Sequence, residues 1–378
     1  MEAYFDNSAT TRPCAEAVAA MTDTIQNNWG NPSSLHYVGN RANEVLEGAR
    51  KELAKRLSCT PEEIFFTSGG TESNNLAVLG AARKLKRSGK RIVSTSVEHP
   101  SVDEALNSLE NEGFEIIRIP VNEYGKIDEK AIYEAVNSDT ILVTMMLVNN
   151  EVGSIMPVEC VKRAVMRAKA PALIHCDAVQ AFGKIPVKPS ALGVDLLTVS
   201  SHKIHGPKGA GALYIKKGVK IAPKVFGGEQ EMKIRPGTQA MPAIAGFGAA
   251  AGVLPDIDKE LEAVTGLRDY MLARFKAMGG IEINSPADAL PYITNISVTG
   301  IKSEPMMNFL SGKGICVSSG SACSKGKKSR VLSEMGLSHE RTESPLRISF
   351  SRYTTKEEID YLCSMLEEGK KTIRAIGK

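Results

Sequence analysis

Ala172-Leu173-Ile174-His175-Cys176-Asp177 and Asp195-Leu196-Leu197-Thr198-Val199-Ser200-Ser201-His202-Lys203 decide the fold. Each is an apolar run too short for a helix and without polar alternation, and each stops at polar, chemistry-bearing residues. Such runs suit strands covered on both faces. Outward along the chain the same punctuation recurs. Ile64-Phe65-Phe66 ends at Ser68-Gly69-Gly70, and Arg91-Ile92-Val93-Ser94 leads to Glu98-His99-Pro100. Thr140-Ile141-Leu142-Val143-Thr144-Met145-Met146-Leu147-Val148 ends at Asn149-Asn150-Glu151. Stretches such as 101–112 and 158–169 carry helical spacing between these runs. Alternating strand and helix predicts an α/β domain with a mainly parallel sheet. Ligands of open sheets of this kind bind beyond the carboxyl ends of the strands, so His99, Asn150, Asp177 and Lys203 are expected in one region. From about residue 257 the pattern changes. Helical stretches at 257–278 and 356–375 flank short strand-like runs at 293–298 and 346–350, which reads as a smaller α+β domain.

Composition narrows the class. A chain of 378 residues is too long for one ordinary domain. With 42% apolar and 24% charged residues it can bury a sizeable core and is not a disordered chain. Its 47 basic and 43 acidic residues nearly balance, so the charge does not predict a nucleic-acid binder. The local run Lys325-Gly326-Lys327-Lys328-Ser329-Arg330 lacks interleaved aromatics and reads as a solvated loop. Apolar stretches reach only about ten residues, short of a membrane span. The start, MEAYFDNSATTRP, has no basic region followed by an apolar core, so no secretory leader is expected. Seven cysteines from Cys14 to Cys363 form an odd count with no CxxC pair and no zinc-site spacing. Neither a metal site nor a disulfide framework is expected, and a reducing, cytoplasmic setting fits.

Three constellations carry chemistry. Ser68-Gly69-Gly70-Thr71, between a strand and a helix, can present backbone N–H groups to a phosphate. It lacks the Gly-Lys-Ser/Thr end of a P-loop, and an ordinary capped turn is the plainer reading. Lys203, at the end of a buried strand, is placed to lose part of its hydration, which lowers an amine's pKa and makes it a carbonyl nucleophile. An exposed turn lysine is the alternative. Asp177 can hold a positive charge such as a protonated ring nitrogen, or simply cap a helix. One strand–helix–strand step separates Asp177 from Lys203, so the two can reach adjacent strand ends. A Schiff-base lysine, a carboxylate for a pyridinium nitrogen and a phosphate cradle are what pyridoxal 5'-phosphate (PLP) needs. His99 is the candidate for the ring against its face.

The segments YFDNSATT, GNPSSLH, FTSGGTESNN, EHPSV, VNNEVG, HCDAVQ, SSHKIHGPKG, RPGT, VSSGSACS and LRISFSRYTT follow one another in this order. From about residue 4 to 370 the chain resembles a cysteine desulfurase of the NifS/IscS type, in the class V aminotransferase group of fold-type I PLP enzymes. The resemblance implies a PLP-binding large domain at 14–256 built on a mainly parallel seven-stranded sheet. It implies a small α+β domain from 1–13 and 257–378, which carries a mobile loop at about 318–330. Lys203 would carry the cofactor covalently, Asp177 would bind its pyridine nitrogen, Gln180 its phenolic oxygen, and His99 would stack on its ring. Gly70, Thr71, Ser200 and His202 would hold the phosphate, and Thr238 would reach the phosphate of a partner subunit in a homodimer. Arg347 would pair with the substrate carboxylate, where a two-pronged guanidinium suits; Asn150 would help at both the cofactor and that carboxylate, with Asn31 assisting.

Cys323 lies in a small, polar, cationic segment that has little to bury and is expected to be exposed, with nearby lysines favouring the thiolate. The other six cysteines, Cys316 among them, read as small buried hydrophobes. On the implied mechanism the freed Lys203 removes the α-proton of L-cysteine and His99 is a candidate proton carrier. The Cys323 thiolate then takes the substrate sulfur as a persulfide, L-alanine leaves, and the sulfur passes to an acceptor protein. Leu147 stands where housekeeping members often have His. The stretch after Cys323 is shorter and more basic than theirs, and the sequence stops soon after a helix expected to end near Lys371, without the scaffold-docking tail of some members. These departures leave an iron–sulfur scaffold and a tRNA- or cofactor-thiolation enzyme both open as acceptors. Selenocysteine lyase, another class V activity and a low-turnover sulfur relay are the rival readings. Direct nucleic-acid binding is not expected.

Overall fold

The computed structural model describes residues 1–320 and 329–373. Strand β1 (Ala3–Tyr4) opens the chain, and two long helices, Ala15–Asn27 and Tyr37–Leu57, follow. The main sheet comprises β2 (Ile64–Thr67), β3 (Arg91–Thr95), β4 (Glu115–Ile119), β5 (Thr140–Met146), β6 (Leu173–Asp177), β7 (Leu196–Ser200) and β8 (Gly211–Ile215). A second sheet contains β9 (Ile281–Ile283), β10 (Ile293–Val298) and β12 (Pro345–Ser349), while β11 (Ile315–Cys316) pairs with β1.

The seven strands lie in the order β2-β8-β7-β6-β5-β3-β4, as the mainly parallel seven-stranded expectation has it. Neighbours from β7 to β4 are parallel. β8 is antiparallel to both β7 and β2. Two reversals cancel, so β2 runs with the parallel set and its carboxyl end lies on the same edge as those of β3, β5, β6 and β7. This geometry brings the Gly69-Gly70-Thr71 turn, more than a hundred residues away in sequence, beside Ser200. Every residue of β5 and β7 is buried, as strands covered on both faces require. The strand expected over 140–148 stops at Met146, and Val148 makes only an isolated bridge to Ile155.

Local chemistry sets the element ends. His99 caps the helix Pro100–Asn111, its ring accepting from the Ser101 N–H, and Pro100 takes the first helical position, where its missing N–H costs nothing. Asp256 caps Ile257–Met278, and Thr355 with Glu358 forms a capping box on Lys356–Thr372. Where the phosphate-type turn passes β8, a Cβ on Gly211 would stand 2.6 Å from the Gly69 Cα. Gly69 itself has φ 151°, a region closed to side chains. The close approach of these two backbones therefore needs both glycines.

The helices Ala15–Asn27 and Tyr37–Leu57 pack on Met241–Gly252, a helix of mostly small residues. The strands β9, β10 and β12 form a separate antiparallel sheet; Ile257–Met278 packs on β9, and Lys356–Thr372 packs on that helix. No helix among the described residues is long and apolar enough to cross a membrane.

Candidate active site

A cavity of about 230 Å³ opens at the carboxyl edge of the main sheet. Gly70 and Thr71 reach it from the turn after β2, and His99 from the turn after β3. Asn150 comes from the turn after β5, while Asp177 and Gln180 come from the end of β6. Ser200, His202 and Lys203 come from β7 and the single 3₁₀ turn that follows it. Arg347 enters from β12, in the other sheet. All of these expected site residues therefore line one space.

The Lys203 amine donates to the carbonyls of Ser8 at 2.5 Å and Ala9 at 2.7 Å. Burial pushes it down to about 7, and the cations of Lys184 and Arg347 push the same way. A large neutral fraction near pH 7 is the state a nucleophilic or basic lysine requires. The Asp177 carboxylate accepts from Asn74 Nδ2 at 2.7 Å and from the Val179 N–H at 3.0 Å. His99 Nδ1 is engaged with Ser101, 2.8 Å from its hydroxyl. Burial holds the His99 ring below the ordinary histidine range, so it is neutral at pH 7. His202 is lowered to about 4 by burial, with Lys203 adding to it, and its Nδ1 lies 3.2 Å from the Thr10 hydroxyl.

Arg347 is 1% exposed and forked. Its Nη1 donates to the Asn150 carbonyl at 3.0 Å and Nη2 to the Asp6 carboxylate at 2.8 Å. Its Nε is buried with no protein partner. The hydroxyls of Ser200 and Ser201 are likewise buried and unpartnered. Each such hydroxyl costs about 1–3 kcal/mol, a penalty that a bound anion would remove. These residues fit a phosphate-bearing pyridine cofactor. There is a carboxylate for the ring nitrogen, a desolvated amine for its aldehyde, the orphan Ser200 hydroxyl beside a glycine turn for its phosphate, and a guanidinium for an amino-acid carboxylate.

Two expected residues are not in this space. Asn31 and Thr238 share a separate, open depression with Trp29 and Met241. The Asn31 side-chain oxygen there accepts locally from the Ser33 N–H at 2.9 Å. Within one chain, then, Asn31 does not stand beside the substrate position. Cys323, with most of the loop expected over 318–330, lies outside the described residues. Its flanks are described. The Ser329 hydroxyl donates to Glu151 at 2.5 Å, and Arg330 donates to the Glu98 carbonyl at 2.6 Å and ion-pairs with Asp103.

The described cysteines include one departure. Cys14, Cys160, Cys176 and Cys363 are buried and Cys59 is half-buried, but Cys316 is exposed. It occupies the short edge pair with Tyr4, too small to cover it. Burial raises the thiols of Cys59 to about 12, of Cys160 and Cys363 to about 11, and pushes Cys176 and Cys316 upward as well. These five are held as thiols at neutral pH.

Sequence reasoning assigned no role to the Ser8 and Ala9 carbonyls, to Asn74 or to Lys184. YFDNSATT and FTSGGTESNN contain the first three, but carbonyl acceptors and a second-layer amide leave no residue-type signal.

Comparison with known proteins gives a consistent result. The family model described as Aminotransferase class-V matches residues 3–362. A protein of Dictyoglomus turgidum named cysteine desulfurase IscS is 40% identical, covering 99% of this chain and 96% of that one. A solved structure of a NifS-like protein superposes with a TM-score of 0.94 at 37% identity, covering 99% of this chain and all of the other. A structure of SspA in complex with cysteine follows at a TM-score of 0.83 and 30% identity, covering 93% of this chain and all of the other.

Proposed function

Because the chain belongs to the class-V aminotransferase family of PLP-dependent enzymes, and within it to the cysteine desulfurases of the NifS/IscS type, we propose that it removes sulfur from L-cysteine, giving L-alanine and a persulfide on Cys323. The observation that carries this reading is the Lys203 amine, held near neutrality in a cavity between the Asp177 carboxylate and the Arg347 guanidinium.

PLP, when bound, supplies an electron sink for the charge that develops at the substrate Cα. Asp177, pinned by Asn74 and the Val179 N–H, would hold a proton on the ring nitrogen. Gly70, Thr71, Ser200 and His202 would hold the phosphate, and His99 would lie against the ring. Arg347 would orient the substrate carboxylate, with Asn150 beside it, and its buried Nε is the donor still available. Lys203 would take the α-proton, a role its depressed pKa suits. The Cys323 thiolate would attack the substrate sulfur as the carbon–sulfur bond breaks. One cysteine and one thiol then yield one alanine and one persulfide, with no outside oxidant.

The exposed side chains of Trp29 and Ile25 around Asn31 and Thr238 support a homodimer in which Thr238 reaches the partner's phosphate site. A large domain at 14–256 and a small one at 1–13 and 257–378 is the division we propose, supported by the seven-stranded sheet lying in the first and β9, β10 and β12 in the second. A cytoplasmic setting keeps Cys323 reduced, and an iron–sulfur scaffold or a thiolation enzyme would accept its sulfur. Cys323→Ala tests the core of the proposal. It should keep the yellow cofactor absorbance and lose sulfide release from cysteine. Sulfide release at the unsubstituted rate would remove Cys323 from the mechanism.

A further inference from the structure

Lys184 stands one turn beyond Gln180 after β6, and the chemistry above gives it no task. The residue is 7% exposed. Its Nζ donates to Gln180 Oε1 at 3.3 Å and lies 5.7 Å from the centre of the Tyr292 ring. Gln180 Nε2 donates to the Ser8 carbonyl at 3.0 Å, and the same carbonyl accepts Lys203 Nζ at 2.5 Å. Lys184, Gln180, Ser8 and Lys203 thus form one unbroken hydrogen-bonded chain that ends in the cavity.

An ammonium only donates, so it fixes which end of the Gln180 amide faces it. With the oxygen turned to Lys184, the amide NH₂ faces Ser8 and the cavity. Reversing the amide would set its oxygen against the Ser8 carbonyl and its NH₂ against the ammonium, two repulsions at once.

We propose that Lys184 is a positioning residue: it holds the Gln180 amide as a hydrogen-bond donor toward the cavity and sets a second buried cation beside the Lys203 amine. The proposal rests on the reading of Lys203 as the cofactor-carrying lysine. Of the charged groups facing Lys184, Arg347 opposes its charge and Glu260 favours it, and burial brings it to about 8. Lys203 is faced by Lys184, Arg347, Asp6 and Asp177. Lys184 therefore stays largely charged near pH 7 while Lys203 becomes largely neutral above it.

The test uses the full-length chain stripped of cofactor. Trace acetylation across a pH series, resolved by mass spectrometry, gives the labelling midpoint of Lys203. Lys184→Met should raise that midpoint by about one pH unit, because a neighbouring like charge is gone, and Lys184→Arg should leave it in place. In the holoenzyme, Lys184→Met should weaken cofactor retention about tenfold, a typical loss for a hydrogen bond to a charged group. Gln180→Leu added to it should cost less than Gln180→Leu alone. Should Lys184→Met fail to melt cooperatively, Lys184→Gln is read in the same way. A folded variant with an unmoved midpoint and additive losses overturns the proposal. A moved midpoint in a chain that makes no sulfide from cysteine would keep Lys184 in its role and overturn the desulfurase reading instead.

Discussion

Lys203 is expected at the cofactor of its own chain and Thr238 at the phosphate of the partner's, and the two occupy different spaces: one lines the cavity at the sheet edge and the other a more open depression beside Trp29. Strand order brings most of the cavity together, and Arg347 joins it from the other sheet. Asp177 pairs in register with Thr198, and Lys203 follows five residues after Thr198, so both reach the same cavity once β6 and β7 zip together. No strand places Thr238 or Asn31. Their segments run between helices, and Glu72 ties the Arg235-Pro236-Gly237-Thr238 stretch back to the glycine turn, bonding Arg235 at 2.9 Å and the Ser68 N–H at 2.6 Å. The contrast separates what one chain can build from what the proposed assembly would have to complete.

Breaking the cavity should have the largest effect. Lys203→Ala is expected to abolish covalent cofactor retention and lower sulfide formation on the order of 10³-fold or more, read from the visible band and from sulfide release. Arg347→Leu should raise KM for cysteine roughly 100-fold, as losing one partner of a buried charge pair does, while the visible band persists. Breaking the depression should do less. Thr238→Val is expected to loosen the cofactor about tenfold. If the site is shared, mixing Lys203→Ala and Thr238→Val chains should rebuild about one quarter of the sites intact, since random pairing makes half of the dimers hybrid. Recovery of none would confine each site to its own chain.

The smallest effect is on stability. Lys203 is depressed to about 7 in the folded, cofactor-free chain, below its unfolded value. Between that pH and about 10 the unfolded chain binds the extra proton, so stability rises with pH. The melting temperature of the stripped chain should climb from pH 7 to 9 relative to Lys203→Met. His175, His202 and His205, each lowered to about 4 by burial, act alike lower down. Stability should fall on acidification from about pH 6.5 toward 4. A melting curve flat in both windows would mean that these groups are not desolvated.

The strands that carry the site were legible because burial on both faces leaves an apolar run with an abrupt polar stop. Asp195-Leu196-Leu197-Thr198-Val199 shows this in five letters. β4 and β8 were not read individually. Glu115-Ile116-Ile117-Arg118-Ile119 is an edge strand with charged ends, and Gly211-Ala212-Leu213-Tyr214-Ile215 begins on a glycine, which lowers strand propensity for the sake of a close approach. Helix Tyr37–Leu57 shows less plainly, because its buried stripe is built largely from small residues such as Gly39, Ala42, Ala49 and Ala54 and includes Arg50. In the site, the residue types that do chemistry announced themselves. Lys184 did not, because a buried lysine and a solvated one share the same letter, and only the packing of Tyr292 and Gln180 tells them apart.

Ser318 and Arg347 exchange both backbone hydrogen bonds, at 3.3 and 2.5 Å. The group proposed to read the substrate carboxylate and the root of the cysteine segment are thus two rungs of one ladder. Five peptide links separate Ser318 from Cys323, which limits the tether to about 17 Å at full stretch. If Cys323 takes the sulfur as proposed, that leash from Ser318 sets how near an acceptor protein has to approach.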